Sequence, residues 1–393
     1  MNGANPGAEM PMNGANPGAE RPMSADQLAS APRDTLLQSE TLRVADDPMA
    51  LLELSLAEKW GDGLPLIPPT DERVEAMLAG TPRRASDIVA NEVPPRHGMA
   101  TVELVAINAV MAGCLPKHLP ILIAGLEALT KPAYNGFAFG TTTGSVASML
   151  IINGPLRDEM EINYRAGCLG GAVGRGSVAI GRAFQLCLRN IGGMRSGESS
   201  RTVYGQPGRV VGVCFGEWEE RTEWPSLAMR RGFKREQEVV TVHGGMGTMA
   251  MADMNTANDR DLAYLIAKSI ASPMGNLYVP MRTQGEAVVL INPMWAARFE
   301  KTFPKIESFQ ECLYENAWQP IEFWPEPNRA VLHECERVDS KGRVHAVVRP
   351  DRIQPLVCGG LGNLHSTILP SWGESEMQSA AVTRAPLGAQ GSL

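Results

Sequence analysis

Short stretches of this chain recur in the same order further along it, and that ordering restricts the fold more than any single motif. Leu122-Ile123-Ala124 returns as Leu265-Ile266-Ala267, and Leu150-Ile151-Ile152-Asn153 as Val289-Leu290-Ile291-Asn292, each Asn leading to a proline. The run FQLCL from Phe184 returns as FQECL from Phe309, and His243-Gly244-Gly245-Met246-Gly247 is echoed by Cys358-Gly359-Gly360-Leu361-Gly362. A weaker pair, RVVGVC from Arg209 and RAVLHEC from Arg329, falls between the last two. Chance matches do not keep one order with steadily shrinking separations. We read an internal duplication, which implies two pseudo-symmetric halves around a central cleft where a ligand binds.

Local signals place helices and strands alternately, so the expected class is α/β. Asp47 followed by Pro48 opens a helix, and Thr70 with Asp71 and Glu72 opens another. Helical spacing continues at 101–111, 119–129, 177–190, 259–271, 295–303 and 308–317. Apolar, β-branched runs give strands at 145–152, 209–215, 238–242, 287–291, 343–348 and 353–357. The expected organisation is a disordered tail (1–46), a helical and extended segment (47–98), a first α/β repeat (99–250), a second (251–373) and a flexible tail (374–393).

Composition narrows the class of partner. The 393 residues carry a net charge of −7 and no Lys/Arg run that could follow a phosphate backbone, so nucleic acid is not an expected partner. No apolar stretch is long enough for a bilayer, and Leu119 to Leu129 is interrupted by Glu127. The start repeats MNGANPGAE and offers no apolar core of a signal peptide. Seven cysteines, scattered without CxxC spacing, fit a reducing cytoplasm, and a homo-oligomer is expected.

The first copy is longer than the second around Arg165 to Ser177, and this asymmetry marks a candidate site. Gly174, Arg175, Gly176 and Ser177 precede a helix whose first amides could meet an anion, with Arg175 adding a bidentate contact. The alternative is that the glycines permit close packing of loop on helix. The loop matches neither GxGxxG after a strand nor a Walker sequence. Cys168 within it is the candidate nucleophile, since a facing helix N-terminus would lower its thiol pKa. Cys114, near His118 at a helix end, is a second thiol, whereas Cys187, Cys214 and Cys312 lie in apolar periodic runs and read as core.

His243 with Gly244-Gly245, and Cys358 with Gly359-Gly360, are expected at equivalent turns after strands, their amides forming anion nests and His243 or His365 serving as acid or base. Ser366 adds a hydroxyl, and Arg282 lies beside a polar loop that could contact substrate. No metal site is expected: neighbours in His333-Glu334-Cys335-Glu336, read as a strand, point to opposite faces, and Asp253-Met254-Asn255 lacks the calcium-loop pattern. The cofactor is left open, and a third reading has the Arg165 to Ser177 loop holding a nucleotide phosphate.

The phrases EKWGDGLPLIPPT (Glu58 to Thr70), INAVMAGCLP (Ile107 to Pro116) and GGLGNLHS (Gly359 to Ser366) resemble a bacterial family. Its members accompany, or are fused to, small UGSC- or CGSC-motif proteins distantly similar to the selenoprotein subunit of glycine reductase. The resemblance covers most of residues 47–373 and implies a thiol or selenol redox partner; this chain itself has no CGSC. Two functions follow as expectations. One is a cytoplasmic enzyme using thiol-dependent lyase, transferase or reductase chemistry on a small anionic organic substrate. The other is a non-catalytic binding or docking subunit for such a partner.

Overall fold

The computed structural model describes residues 37–171, 174–272, 278 and 284–384. Met1–Gln38 separates from Ser39–Leu393 as a unit of its own, and the architecture below is that of the larger one. It is a mixed α/β assembly of several helices and small mixed sheets.

Helix starts follow capping chemistry. In α1 (Pro48–Ala57) the Asp47 carboxylate accepts from the amides of Met49 and Ala50 at 3.2 and 3.3 Å, and Pro48 occupies a position that needs no donor. Thr70 precedes α2 (Asp71–Leu78) without a side-chain cap, leaving Asp71 and Glu72 to oppose the dipole. A hairpin of β1 (Ile88–Val93) and β2 (Gly98–Thr101) follows, spanning the boundary expected at residue 98. Thr101 caps α3 (Val102–Met111). Next, α4 (Leu119–Leu129) is apolar on all sides, and only Glu127 among its residues is not buried.

The short α5 (Gly136–Thr141) leads to β3 (Ala147–Asn153), then α6 (Gly176–Asn190), β4 (Val213–Gly216), the single turn α7 (Leu227–Arg230), β5 (Val239–Gly245) and β6 (Met249–Ala252). The second half runs α8 (Asp259–Ile270), β7 (Ala287–Ile291), α9 (Pro293–Thr302), α10 (Ile306–Asn316), β8 (Trp318–Pro320), α11 (Glu326–Glu334), β9 (Arg343–His345), β10 (Ile353–Val357), β11 (His365–Leu369) and β12 (Gln378–Ala381).

Two four-stranded sheets organise these elements, ordered β12-β5-β3-β4 and β6-β11-β7-β10. In the first, β3 runs parallel to β4 and antiparallel to β5, and β12 lies antiparallel on β5. In the second, β7 is parallel to β10 and antiparallel to β11, and β6 lies antiparallel on β11. The outer strands are exchanged: β6 follows β5 in the chain yet completes the other sheet, and β12 follows β11 yet returns to β5. Each sheet therefore takes one edge strand from a segment that follows the other sheet's strands in the chain.

The structure differs from several expectations. The segment after Glu374 is not wholly a loose tail, because Gln378–Ala381 pairs with β5 and the Ser379 hydroxyl meets that of Thr241 at 2.7 Å. The division near residue 250 cuts through β6. His333-Glu334-Cys335 ends helix α11, and Arg329 sits in its middle, so RAVLHEC does not match β4. The counterpart is later: a 3-10 turn Pro207–Arg209 leads to β4, as Pro350–Arg352 leads directly into β10.

Strand alternation divides the core. One face of the first sheet (Met149, Ile151, Phe215) packs with Val288, Leu290, Leu356 and Leu369 of the second in a single apolar cluster that also holds Cys168 and Cys358. Outer faces take the helices: α4 lies on β5 and β12, while α10 lies on β10 and against α8. No described helix is long and apolar enough to cross a membrane.

Candidate functional site

At the end of β10 the chain leaves the sheet at Cys358, whose amide donates to the Ile291 carbonyl at 3.0 Å, and turns at Gly359, where φ is 93°. The positive φ calls for glycine. Gly359 then donates to the Tyr164 carbonyl at 2.9 Å, which ties this turn to the Cys168 loop. That loop folds on itself: the Asn163 side chain accepts from Arg165 N and donates to Ala166 O, and Gly171 N bonds Gly167 O at 2.6 Å.

The two tethered loops bring Cys168 Sγ and Cys358 Sγ to 3.7 Å, although 190 residues separate them in sequence. Both thiols are buried, and both line a cavity of about 320 Å³ with Gly167, Asn292, Gly360 and His365. Environment separates the two sulfurs. The Cys358 thiol holds the Cys168 pKa below its ordinary value, against the opposing effect of burial and with help from the Cys168 and Leu169 amides. Cys358 is pushed well up, first by that same hydrogen bond, then by burial, and further by Glu217. The arrangement favours thiolate at Cys168 and thiol at Cys358.

Glu217 went unnoticed in the sequence. It follows β4 and is fully buried; its amide bonds the Ile152 carbonyl as the Cys358 amide bonds Ile291. Strand register makes the two positions equivalent, since Ile152 faces Gly216 and Ile291 faces Val357. Burial raises its carboxyl pKa to about 7, opposed by Arg230, by the Asn153 amide at 2.7 Å and by the Leu227 amide at 2.8 Å. An acidic residue directly after an apolar strand was the available signal.

Of the residues singled out in the sequence, the cavity gathers Cys168, Gly359, Gly360, His365 and Ser366. His365 is exposed at the start of β11, and its carbonyl accepts from Asn292. The Ser366 hydroxyl is committed to the Leu290 carbonyl at 2.8 Å. Among the described lining residues there is no lysine or arginine.

The remainder lie elsewhere. Gly244 and Gly245 belong to β5 rather than to a turn, and His243 beside them is fully buried facing Met149. Burial pushes its imidazole down to about 4. By register its counterpart is Leu369, which faces Val288, so His243 and Cys358 are not equivalent. Gly174, Arg175, Gly176 and Ser177 do begin or precede α6, but the amides of Arg175 and Ser177 are already bound. Arg175 N donates to Glu161 Oε2 at 3.0 Å and Ser177 N to Glu161 O at 3.3 Å, while the Ser177 hydroxyl accepts from Asn163 N. A Cβ on Gly176 would sit 2.0 Å from Met160 O, so close packing accounts for it.

Cys114 is buried near Cys187 and Cys214, and burial raises its thiol pKa strongly. This suits a small apolar residue, not a nucleophile. His118 beside it is buried too, and its Nδ1 accepts from Leu115 N at 3.1 Å. Arg282 lies outside the described residues. Among the described residues no three His, Cys, Asp or Glu side chains gather to hold a metal ion.

No protein-family model and no curated protein matches the chain's sequence.

Proposed function

We propose that the chain is a dithiol enzyme that reduces a small anionic organic disulfide, with Cys168 as nucleophile and Cys358 as resolving thiol. The 3.7 Å approach of the two sulfurs at the wall of an open cavity carries this reading. A disulfide needs about 2.05 Å between sulfurs, so a modest side-chain and loop movement closes the pair. The Cys168 thiolate attacks one sulfur of R–S–S–R′, forming a mixed disulfide and releasing R–S⁻, which takes up the Cys358 proton. Cys358 then attacks the Cys168 sulfur, expels R′–S⁻ and completes the internal disulfide. Two electrons pass to substrate, and an external dithiol restores the pair.

The anionic substrate is inferred from glycine-turn backbone and from His365, and no longer from Arg175. The matched strand order of the two sheets supports an ancestral duplication with exchanged edge strands, and the site belongs to the seam where β10 and the loop after β3 meet. A docking role toward a CGSC-type redox protein stands as the second reading. It is supported by exposed Leu361 and Leu364 on the segment that carries Gly362 into the cavity wall, and by the need for an outside reductant.

Reduced protein mixed with small disulfides in the absence of any partner tests the first reading. Stoichiometric thiol release, lost in Cys168→Ser, supports it. Release that persists in Cys168→Ser refutes it, and inertness until a CGSC-type protein is added selects the docking role.

A further inference from the structure

Away from the cysteine pair, a second recess forms between α6, the Asp62 strap and the segment around 194–210. It is largely enclosed, about 80 Å³, and lined by Asp62, Gln185, Arg189, Ser196 and Arg209 with some apolar neighbours. Asp62 is spoken for: both its oxygens receive Arg182, at 2.8 and 2.9 Å. Glu198 nearby is shared among Lys59, Arg96 and Arg195.

Arg189 and Arg209 thus face the recess without a carboxylate in salt-bridge contact, although Asp62 and Glu198 act on Arg189 from a greater distance. The Nε atoms of both are buried and have no hydrogen-bond partner. Arg209 reaches only the hydroxyls of Ser200 and Ser196, at 2.9 and 3.5 Å. The second sheet provides a control. Arg352, which closes the 3-10 turn before β10 as Arg209 closes the one before β4, also has a buried Nε without a partner, but it is neutralised by Glu376 at 3.3 Å and bonds the Gln284 carbonyl. The first sheet keeps the arginine but has no such acid beside it.

Gln185 adds a requirement of the opposite sense. It is 3% exposed; its Nε2 donates to the Ser148 carbonyl at 3.0 Å, which fixes the amide orientation and leaves Oε1 as a buried acceptor with no donor. An occupant must offer negative oxygens to two guanidinium groups and a proton to Gln185. Water supplies no charge, and sulfate supplies no proton. We propose that this recess is a binding site for free hydrogen phosphate, held by Arg189 and Arg209 and by its P–OH donating to Gln185 Oε1. Charge-assisted contacts to two arginines are the recognition element for such an anion.

Titration calorimetry of the full-length protein with inorganic phosphate tests this, with sulfate and phenyl phosphate as comparators and thermal melts as a check on folding of each variant. The expected result is saturable phosphate binding, with sulfate at least about tenfold weaker because it leaves Gln185 unpaired. Arg209→Met is expected to weaken phosphate about tenfold or more, and Gln185→Met to erase the preference over sulfate. Absence of phosphate binding by the unaltered protein at millimolar concentration would overturn the proposal, as would equal affinity for sulfate. Phenyl phosphate bound as tightly as phosphate would overturn its restriction to the free ion.

Discussion

The two sheets agree in strand order and direction, yet the residues that leave β4 and β10 at the same register position differ in kind. One sheet ends in Glu217, buried and held by Asn153 and Leu227; the other ends in Cys358, 3.7 Å from the Cys168 sulfur. A shared frame thus presents an acid on one side and a thiol on the other. A second pair makes the same point, because His243 occupies the place that Leu369 fills opposite. Pairing fixes the backbone, while side chains at matched positions diverge where chemistry or burial demands it.

The largest expected effect tests the thiol side of that comparison. Alkylation of Cys168 should exceed that of Cys114, Cys187 and Cys214 by a hundredfold or more, roughly, since thiolate fraction and access both favour it. Peptide mapping after brief iodoacetamide treatment reads this directly. Its rate should rise through a midpoint below the ordinary thiol value of 9.0.

The acid side comes next. Glu217 has a folded pKa of about 7 against an ordinary 4.5, so its contribution to stability is present below 4.5 and is lost as pH rises through 7. Glu217→Gln should remove that loss, gaining roughly 2–3 kcal/mol at pH 8 relative to the parent, as denaturant titration would show. The same substitution should lower the midpoint for alkylating Cys358 in a Cys168→Ser background; an unchanged midpoint would remove Glu217 from the site.

His243 should move stability in the other direction with pH. Its folded pKa of about 4 lies below the ordinary 6.5, so stability falls as pH drops from 6.5 towards 4. His243→Leu, copying the second sheet, should flatten that acid limb, as denaturant titration between pH 4 and 6.5 would show. Retained disulfide reduction in this variant would separate His243 from catalysis, and its loss would restore a role there. Smallest of all, Cys187→Ala should cost about 1 kcal/mol in a thermal melt and leave Cys168 reactivity unchanged.

Much of the fold was legible because it depends on neighbours in sequence. Asp47 caps its helix through amides two and three residues on, and the strand over 287–291 carries its own apolar, β-branched pattern. The exchange of β6 and β12 was not legible, since nothing in Gln378–Ala381 specifies that its partner lies at Val239–Val242. Small and polar residues such as Ser379 read as tail until the hydrogen bond to Thr241 is seen. The glycines after His243 misled for a related reason: in β5 they allow close approach of Met149 and Ser375, not a turn. At the site, Cys168 could be marked by the asymmetry of its loop. Its pairing with Cys358 could not, because it arises from two loops joined by the Tyr164 and Gly359 backbone.

The pairing of those two thiols is what the functional account depends on, and mild oxidation of the fully reduced protein examines it without knowledge of the substrate. Diamide treatment followed by non-reducing peptide mapping should give one dominant cross-link joining the Cys168 and Cys358 peptides, reversible by dithiothreitol. Oxidation that leaves both thiols free, or links either to a different cysteine, would contradict the account.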